Sequence, residues 1–186
     1  MLGARSIPAL ETERLLLRGW LPQDVDAYAR INSDPEVRRF VRPARALTPS
    51  EADGEVGALL DQWRRVGFGH WAVILKETGQ TIGRTGAKQH LDWPLGPDNC
   101  EVGWLYAREA WGKGYATEGA LAALRFVFEE VGREQVISIA DRHNHASHRV
   151  MERVGFSRAG ALRWDARDMD VVWYSQRAQP RAEIGT

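Results

Sequence analysis

The sequence predicts a mixed α/β domain: a sheet with helices on both faces and one pair of parallel strands. Three observations carry that reading. Strand-like and helix-like patterns alternate along most of the 186 residues, as packed layers of sheet and helix require. A strand–helix–strand unit spans Cys100 to Ala140, and a crossover helix of that length makes its flanking strands parallel. No repeat, low-complexity tract or linker breaks the pattern. The chain 1–186 therefore reads as one domain, with its core over 7–174 and a loose tail at 176–186.

In order, Arg14 to Trp20 (R-L-L-L-R-G-W) is the first strand. A helix starts at Leu21-Pro22-Gln23-Asp24, with Val25, Tyr28, Ala29 and Ile31 as its apolar face. Asp34-Pro35 breaks it, and a short segment from Glu36 to Val41 follows. Thr48-Pro49-Ser50-Glu51 is a strong helix start: Thr caps, Pro occupies the first turn, and Glu51 sits three residues on. That helix runs to Arg65 and stops at Gly67. Trp71–Leu75 and Thr81–His90 are strands joined by a hairpin through Glu77-Thr78-Gly79. Asp92 to Asn99 is a loop.

Cys100–Tyr106 is a buried strand, and Tyr115–Val131 a helix with Leu121, Leu124, Phe128 and Val131 on one face. Val136–Ala140 is the next strand. A second helix over Ala146–Val154 ends at Gly155. Strands around Phe156–Leu162 and Val171–Tyr174 close the domain.

Bulk properties exclude several classes. Lys+Arg and Asp+Glu are both 25, for a formal net charge of +0, which argues against broad nucleic-acid binding. The single cysteine, Cys100, rules out an intrachain disulfide and a cysteine-based zinc site. The N-terminal stretch M-L-G-A-R-S-I-P-A-L-E-T-E-R lacks an apolar signal core, and no run is long enough to span a membrane. The expectation is a cytoplasmic protein with neither a membrane nor a nucleic-acid partner.

The stretch with most chemical content is Glu101 to Gly119, E-V-G-W-L-Y-A-R-E-A-W-G-K-G-Y-A-T-E-G. Gly112 and Gly114 flank Lys113 between a strand and a helix start. Glycines let backbone approach a ligand closely, and a helix start offers unpaired N–H groups at the positive end of a dipole. Such a turn suits a pyrophosphate. Many strand-to-helix turns also contain two glycines for purely steric reasons.

W-G-K-G-Y-A-T-E resembles the acetyl-CoA loop of the GNAT superfamily of N-acetyltransferases. A second stretch, N-H-A-S-H-R-V-M-E-R-V-G-F from Asn144 to Phe156, lies at the expected distance downstream. E-T-E-R-L-L-L-R at Glu11–Arg18 and G-H-W-A-V at Gly69–Val73 complete the pattern. Over Ile7 to Tyr174 the chain is similar to the ribosomal-protein-alanine branch of that superfamily. The resemblance implies a mostly antiparallel sheet with one splayed parallel pair, Glu101–Tyr106 and Val136–Ala140, and a pantetheine arm lying in the V between them. It implies a pyrophosphate held on backbone N–H groups of Gly112, Lys113, Gly114, Tyr115, Ala116 and Thr117. The chain departs from the broad pattern at Trp111, where Gln or Arg is common. Lys113's side chain reads equally as a phosphate contact or a solvated loop lysine.

The remaining site residues also rest on the resemblance. Asn144 is a good helix N-cap, and in the family a contact to the pantetheine arm. The family's usual tyrosine acid would fall at Met151 and is absent. Ser147 reads either as a first-turn residue of that helix or, by resemblance to the ribosomal-protein branch, as the donor to the leaving thiolate. Glu101 reads either as the general base, its pKa raised by burial, or as a strand-end charge paired with an arginine. Backbone N–H groups near Trp104 and Leu105 polarise the thioester carbonyl by the same analogy. The implied activity is direct acetyl transfer from acetyl-CoA to a primary amine, first a protein or peptide α-amine. The alternatives are a small amine such as an antibiotic, polyamine or amino acid, and a non-catalytic acyl-CoA-binding module. Oligomeric state is open, a homodimer included.

Other features read more plainly. His143, His145 and His148 lack an acidic or cysteine partner, so no metal is expected. Cys100 reads as a small buried thiol. Arg38, Arg39, Arg42 and Arg45 read as a solvated basic face. Trp63, Trp93 and Trp164 are candidates to line a substrate cleft, and Trp71 reads as structural.

Overall fold

The computed structural model describes residues 7–97 and 99–179. Eight strands form one sheet: β1 (Leu10–Glu11), β2 (Leu15–Arg18), β3 (His70–Leu75), β4 (Gln80–Gln89), β5 (Cys100–Tyr106), β6 (Gln135–Asp141), β7 (Ser157–Trp164) and β8 (Met169–Arg177). Their order is β1-β2-β3-β4-β5-β6-β8-β7. Every neighbouring pair is antiparallel except β5 and β6. The crossover helix between those two, α4 (Tyr115–Glu129), makes them parallel, as the sequence predicts.

Helices cover both faces because the strands are apolar on both. In β3, Trp71 and Val73 join the core shared with Ala120, Ala123 and Val127 of α4. Their alternates Ala72 and Ile74 instead meet Tyr28 of α1 (Asp24–Asn32) and Ala52 and Val56 of α3 (Pro49–Val66). This period-two split sandwiches the sheet. Trp71 is fully buried and its indole N–H donates to the carbonyl of Pro8 at 2.7 Å.

Local signals explain the helix ends. Thr48 accepts from the N–H of Glu51 while the Glu51 carboxylate accepts from the N–H of Thr48, a reciprocal cap. Gly67 ends α3 at φ 78°, a conformation that costs glycine little. Asp34 does more than break a helix: it caps the short α2 (Pro35–Arg38) by accepting from the N–H of Glu36 at 2.8 Å. After α5 (His145–Arg153), Phe156 and Gly155 donate back to the carbonyls of Met151 and Glu152, closing the helix as a glycine C-terminus does.

Four expectations change. Leu124, Phe128 and Val131 pack on the core as expected, but Leu121 is exposed, and Tyr115, Gly119, Ala120, Ala123, Phe126 and Val127 complete the buried face of α4. Small residues let the helix sit tight on the sheet: a methyl at Gly119 would lie 2.5 Å from the Tyr106 hydroxyl. Gln176 belongs to β8, opposite Val136, so the tail does not begin there, and 180–186 lie outside the described residues. Strand β1 adds a two-residue edge too short to be seen in the sequence. Arg38 is fully buried, bonded to Asn32, Glu55 and the carbonyls of Arg42 and Pro43, so the four arginines do not form one solvated face. Among the described residues no helix is long and apolar enough to cross a membrane.

Candidate active site

The parallel pair meets at a single register position, Glu101 opposite Ile137. One residue further on, the Ser138 hydroxyl donates to the carbonyl of Val102 at 2.8 Å. Beyond that point the strands border a cavity, with Gly103 and Trp104 on one side and Ile139, Ala140 and Asp141 on the other. Asn144, Ser147 and Met151 of α5 and Glu101 itself also line this cavity, about 410 Å³ in volume. Of the sequence-derived candidates, Glu101, Trp104, Asn144 and Ser147 are therefore brought together, whereas the Leu105 side chain packs with Ile31 and Val37 instead. Asn144 serves as the α5 cap, its side chain accepting from the Ser147 N–H at 3.2 Å. The Ser147 hydroxyl makes no hydrogen bond among the described residues.

The glycine turn lies at the other end of β5. Gly112 and Gly114 have φ of 73° and 83°, the left-handed region that glycine enters freely. Gly114 caps α4 without a side chain, and the N–H groups of Gly112, Lys113 and Gly114 have no protein acceptor among the described residues. Tyr115, Ala116 and Thr117 form the first turn, where a helix leaves its N–H groups unpaired. Such a row of donors at a helix N-terminus fits a pyrophosphate. Arg14 braces the turn: it donates to the Lys113 carbonyl at 2.9 Å, pairs with Glu118, and lies 4.7 Å from the centre of the Tyr115 ring. The Trp111 indole donates to the Tyr106 carbonyl at 2.9 Å, tying the turn to the strand end.

Glu101 is the most heavily engaged group in the cavity. His90 of the β4 end lies 2.5 Å away, Nε2 to Oε2. Lys88 stands directly across the β4–β5 ladder, with Arg84 further along the same strand face. Burial pushes the Glu101 carboxyl up, but His90, Lys88 and Arg84 outweigh it and hold the group below its ordinary value. The expectation of a raised pKa is thus corrected: three positive or polar neighbours dominate desolvation. Glu101 is ionised at neutral pH, so His90 Nε2 carries the donated proton. Its partner is a histidine, where the sequence offered an arginine.

Sequence reasoning missed His70, Arg84, Lys88 and His90, all of which line this cavity. Their signal is a polar period of two, Arg84, Lys88 and His90 with Gly86 between, on a strand otherwise rich in small and apolar residues. His70 is buried with its Nδ1 unpartnered. Burial, together with Arg84, Lys88 and His90, lowers its pKa well below 6.5, so the ring is neutral.

The discounted residues also find places. His148 bonds to the Tyr174 hydroxyl and the Asp141 carbonyl, and among the described residues no cluster of His, Cys, Asp or Glu is arranged to hold a metal. Burial pushes the Cys100 thiol up to about 11, which leaves it a poor nucleophile. Trp164 lines the cavity and packs edge-on against His90 and Trp93. Trp63 instead packs edge-on against Trp71 in the core.

Comparison with known proteins adds the family. Residues 14–157 match the family model of the acetyltransferase (GNAT) domain. The chain is 27% identical over 154 residues to an uncharacterized N-acetyltransferase, p20, of Bacillus licheniformis, covering 83% of this chain and 85% of the relative. It is 31% identical over 163 residues to the FsC-acetyl coenzyme A-N(2)-transacetylase of Aspergillus fumigatus, covering 81% and 65%. The crystal structure of an acetyltransferase from Agrobacterium tumefaciens superposes with a TM-score of 0.79 at 30% identity, covering 93% of this chain and 96% of that one.

Proposed function

The chain belongs to the GNAT acetyltransferase family, and from that premise we propose that it moves the acetyl group of acetyl-CoA directly onto a primary amine, in the first place a peptide α-amine. The observation that carries this reading is the single-position pairing of β5 and β6. It opens a cavity lined by Glu101 and Ser147, and the C-terminal end of β5 leads on to the unpaired backbone donors of Gly112–Gly114.

When bound, acetyl-CoA supplies an acetyl group already activated as a thioester. The N–H groups of Gly112 to Thr117 hold its pyrophosphate, and the free edges of β5 and β6 pair with its amide-bearing arm as with an added strand. Backbone N–H groups near Trp104 and Leu105 draw electron density from the thioester carbonyl. Glu101, kept ionised by His90 and Lys88, accepts the proton that the amine loses as its nitrogen bonds to the carbonyl carbon. Ser147 donates a proton to the sulfur as the carbon–sulfur bond breaks. Asn144, capping α5, keeps Ser147 at the cavity wall.

A small-molecule amine is the second reading, favoured by the 31% identical relative whose name describes an N(2)-transacetylase. Calorimetry with acetyl-CoA, followed by thiol-release assays across peptides and small amines, tests both. Tight binding without metal is expected, and Gly114→Val weakens it about tenfold or more, because a branched side chain is strained at φ 83°. No binding by the wild type overturns the reading. Binding with no thiol release from any amine points instead to a non-catalytic acyl-CoA-binding module.

A further inference from the structure

Most charges in the cavity are matched within the protein. Arg38 pairs with Glu55, Arg167 with Asp92, and Glu101 with His90. Arg42, at the outer edge, donates to the Asp168 carbonyl, and Asp141 accepts the His143 N–H. Two cations on the cavity floor have no ion pair of their own among the described residues, although both act at longer range on Glu101, which is already paired with His90. Arg84 meets the Tyr28 hydroxyl and no carboxylate, and its Nε is buried without a partner. Lys88 makes no hydrogen bond or ion pair among the described residues.

Both side chains emerge from one face of β4, two registers either side of Gly86, and Gly86 itself lies opposite Gly103. Neither glycine adds a side chain there, and the groups that approach are Glu101 and His70: a methyl on Gly103 would lie 3.5 Å from Glu101 Oε1 and 3.7 Å from His70 Nε2. Lys88 stands beside Glu101, the group assigned to the amine. Burial depresses the Lys88 pKa, so its ammonium is short of solvent and gains from an anionic partner.

Resting on the acetyltransferase reading, we propose that the acceptor is an amine carrying a nearby carboxylate, which Arg84 and Lys88 bind while its amine faces Glu101. The carboxylate has two possible sources: the α-carboxylate of a free amino acid, or the acidic side chain of a peptide's first residues. Arg84 supplies a planar fork and Lys88 a compact charge, the combination that holds a carboxylate in a fixed orientation.

Steady-state thiol release with matched acceptor pairs tests this. Leucine against leucinamide probes the amino-acid source; a peptide beginning with Asp against one beginning with Asn probes the peptide source. One anionic member should exceed its neutral partner in kcat/KM by about tenfold or more, the scale of a charge-assisted hydrogen bond. Lys88→Gln and Arg84→Gln should each shrink that ratio about fivefold or more, mainly through KM, and Lys88→Glu should invert it. Cations that only keep Glu101 ionised would slow both members alike and leave the ratio intact. The proposal is overturned if neither anionic acceptor is preferred by the wild type, if both variants keep the wild-type ratio, or if they lose acetyl-CoA affinity by the same factor. Acetyl-CoA binding without thiol release from any acceptor removes the acetyltransferase reading itself, an outcome distinct from equal turnover of both members.

Discussion

Ser138 and Val102 are joined by a side-chain hydrogen bond of 2.8 Å where the backbone ladder between their strands has just ended. The hydroxyl stands in for the next rung and sets where the V opens. Ser138→Ala should cost about 1 kcal/mol, or roughly 2–4 °C in Tm for a chain of this size. Because the V is the proposed seat of the pantetheine arm, acetyl-CoA should also raise the variant's Tm by less than it raises that of the wild type. Thermal melts with and without acetyl-CoA measure both effects. An unchanged ligand-induced rise would show that the bond fixes the fold without shaping the cleft.

For Glu101, the expected signature divides base from scaffold. Glu101→Gln should lower kcat by about 10²–10⁴-fold with acetyl-CoA affinity preserved, and Ser147→Ala should lower it less, since water can donate to a thiolate. His90→Ala removes the strongest influence holding the carboxyl down. The Glu101 pKa then rises, and the acid limb of the kcat/KM profile moves to higher pH. A profile that stays in place would dissociate Glu101 from proton transfer.

Stability against acid is expected to depend on His70. Its ring stays neutral in the fold but titrates near 6.5 when unfolded. Between its depressed folded value and 6.5 the unfolded chain binds the extra proton, so stability falls as pH drops through that window. The slope approaches about 1.4 kcal/mol per pH unit for one proton. Denaturant melts from pH 7 to pH 5 should show it, and His70→Gln should flatten it. Glu101 adds a similar loss at lower pH, because its folded pKa is depressed: its contribution is present above the unfolded carboxylate value and disappears as pH falls through the folded one.

Arg38 is a structural counterpart to the cavity cations. It gathers Asn32, Glu55 and the carbonyls of Arg42 and Pro43 beneath the segment leading into α3. Arg38→Met should destabilise by about 3 kcal/mol, the lower end for stripping one partner from a buried pair, because Glu55 keeps 33% of its side-chain surface exposed. Urea unfolding gives the figure. A loss under about 0.5 kcal/mol would mean that water replaces the guanidinium.

What could be read in advance follows a physical divide. Strand β5 was legible to the residue because an apolar run ends at a glycine turn, and the Thr48–Glu51 cap because it is chemistry between near neighbours. The face of α4 was legible only in part: Leu124, Phe128 and Val131 do pack on the core, but Leu121 is exposed and the small residues were missed. Periodicity weights large side chains, while close packing on a sheet selects Gly119, Ala120 and Ala123. Of the candidate site, the glycine turn, Glu101 and Ser147 are local in sequence. His90 reaches Glu101, and His70 the same cavity, only through strand pairing, across a loop and a hairpin that carry no motif.

Trp111 turns the bracing of the glycine turn to practical use. Of eight tryptophans, it alone is exposed, at 47%, and it adjoins Gly112 with its indole fixed to the Tyr106 carbonyl. A collisional quencher such as iodide therefore reaches this indole ahead of the seven others. Its emission isolates the first residue of the turn from the rest of the fluorescence, so occupancy of the turn can be followed optically without attaching a dye.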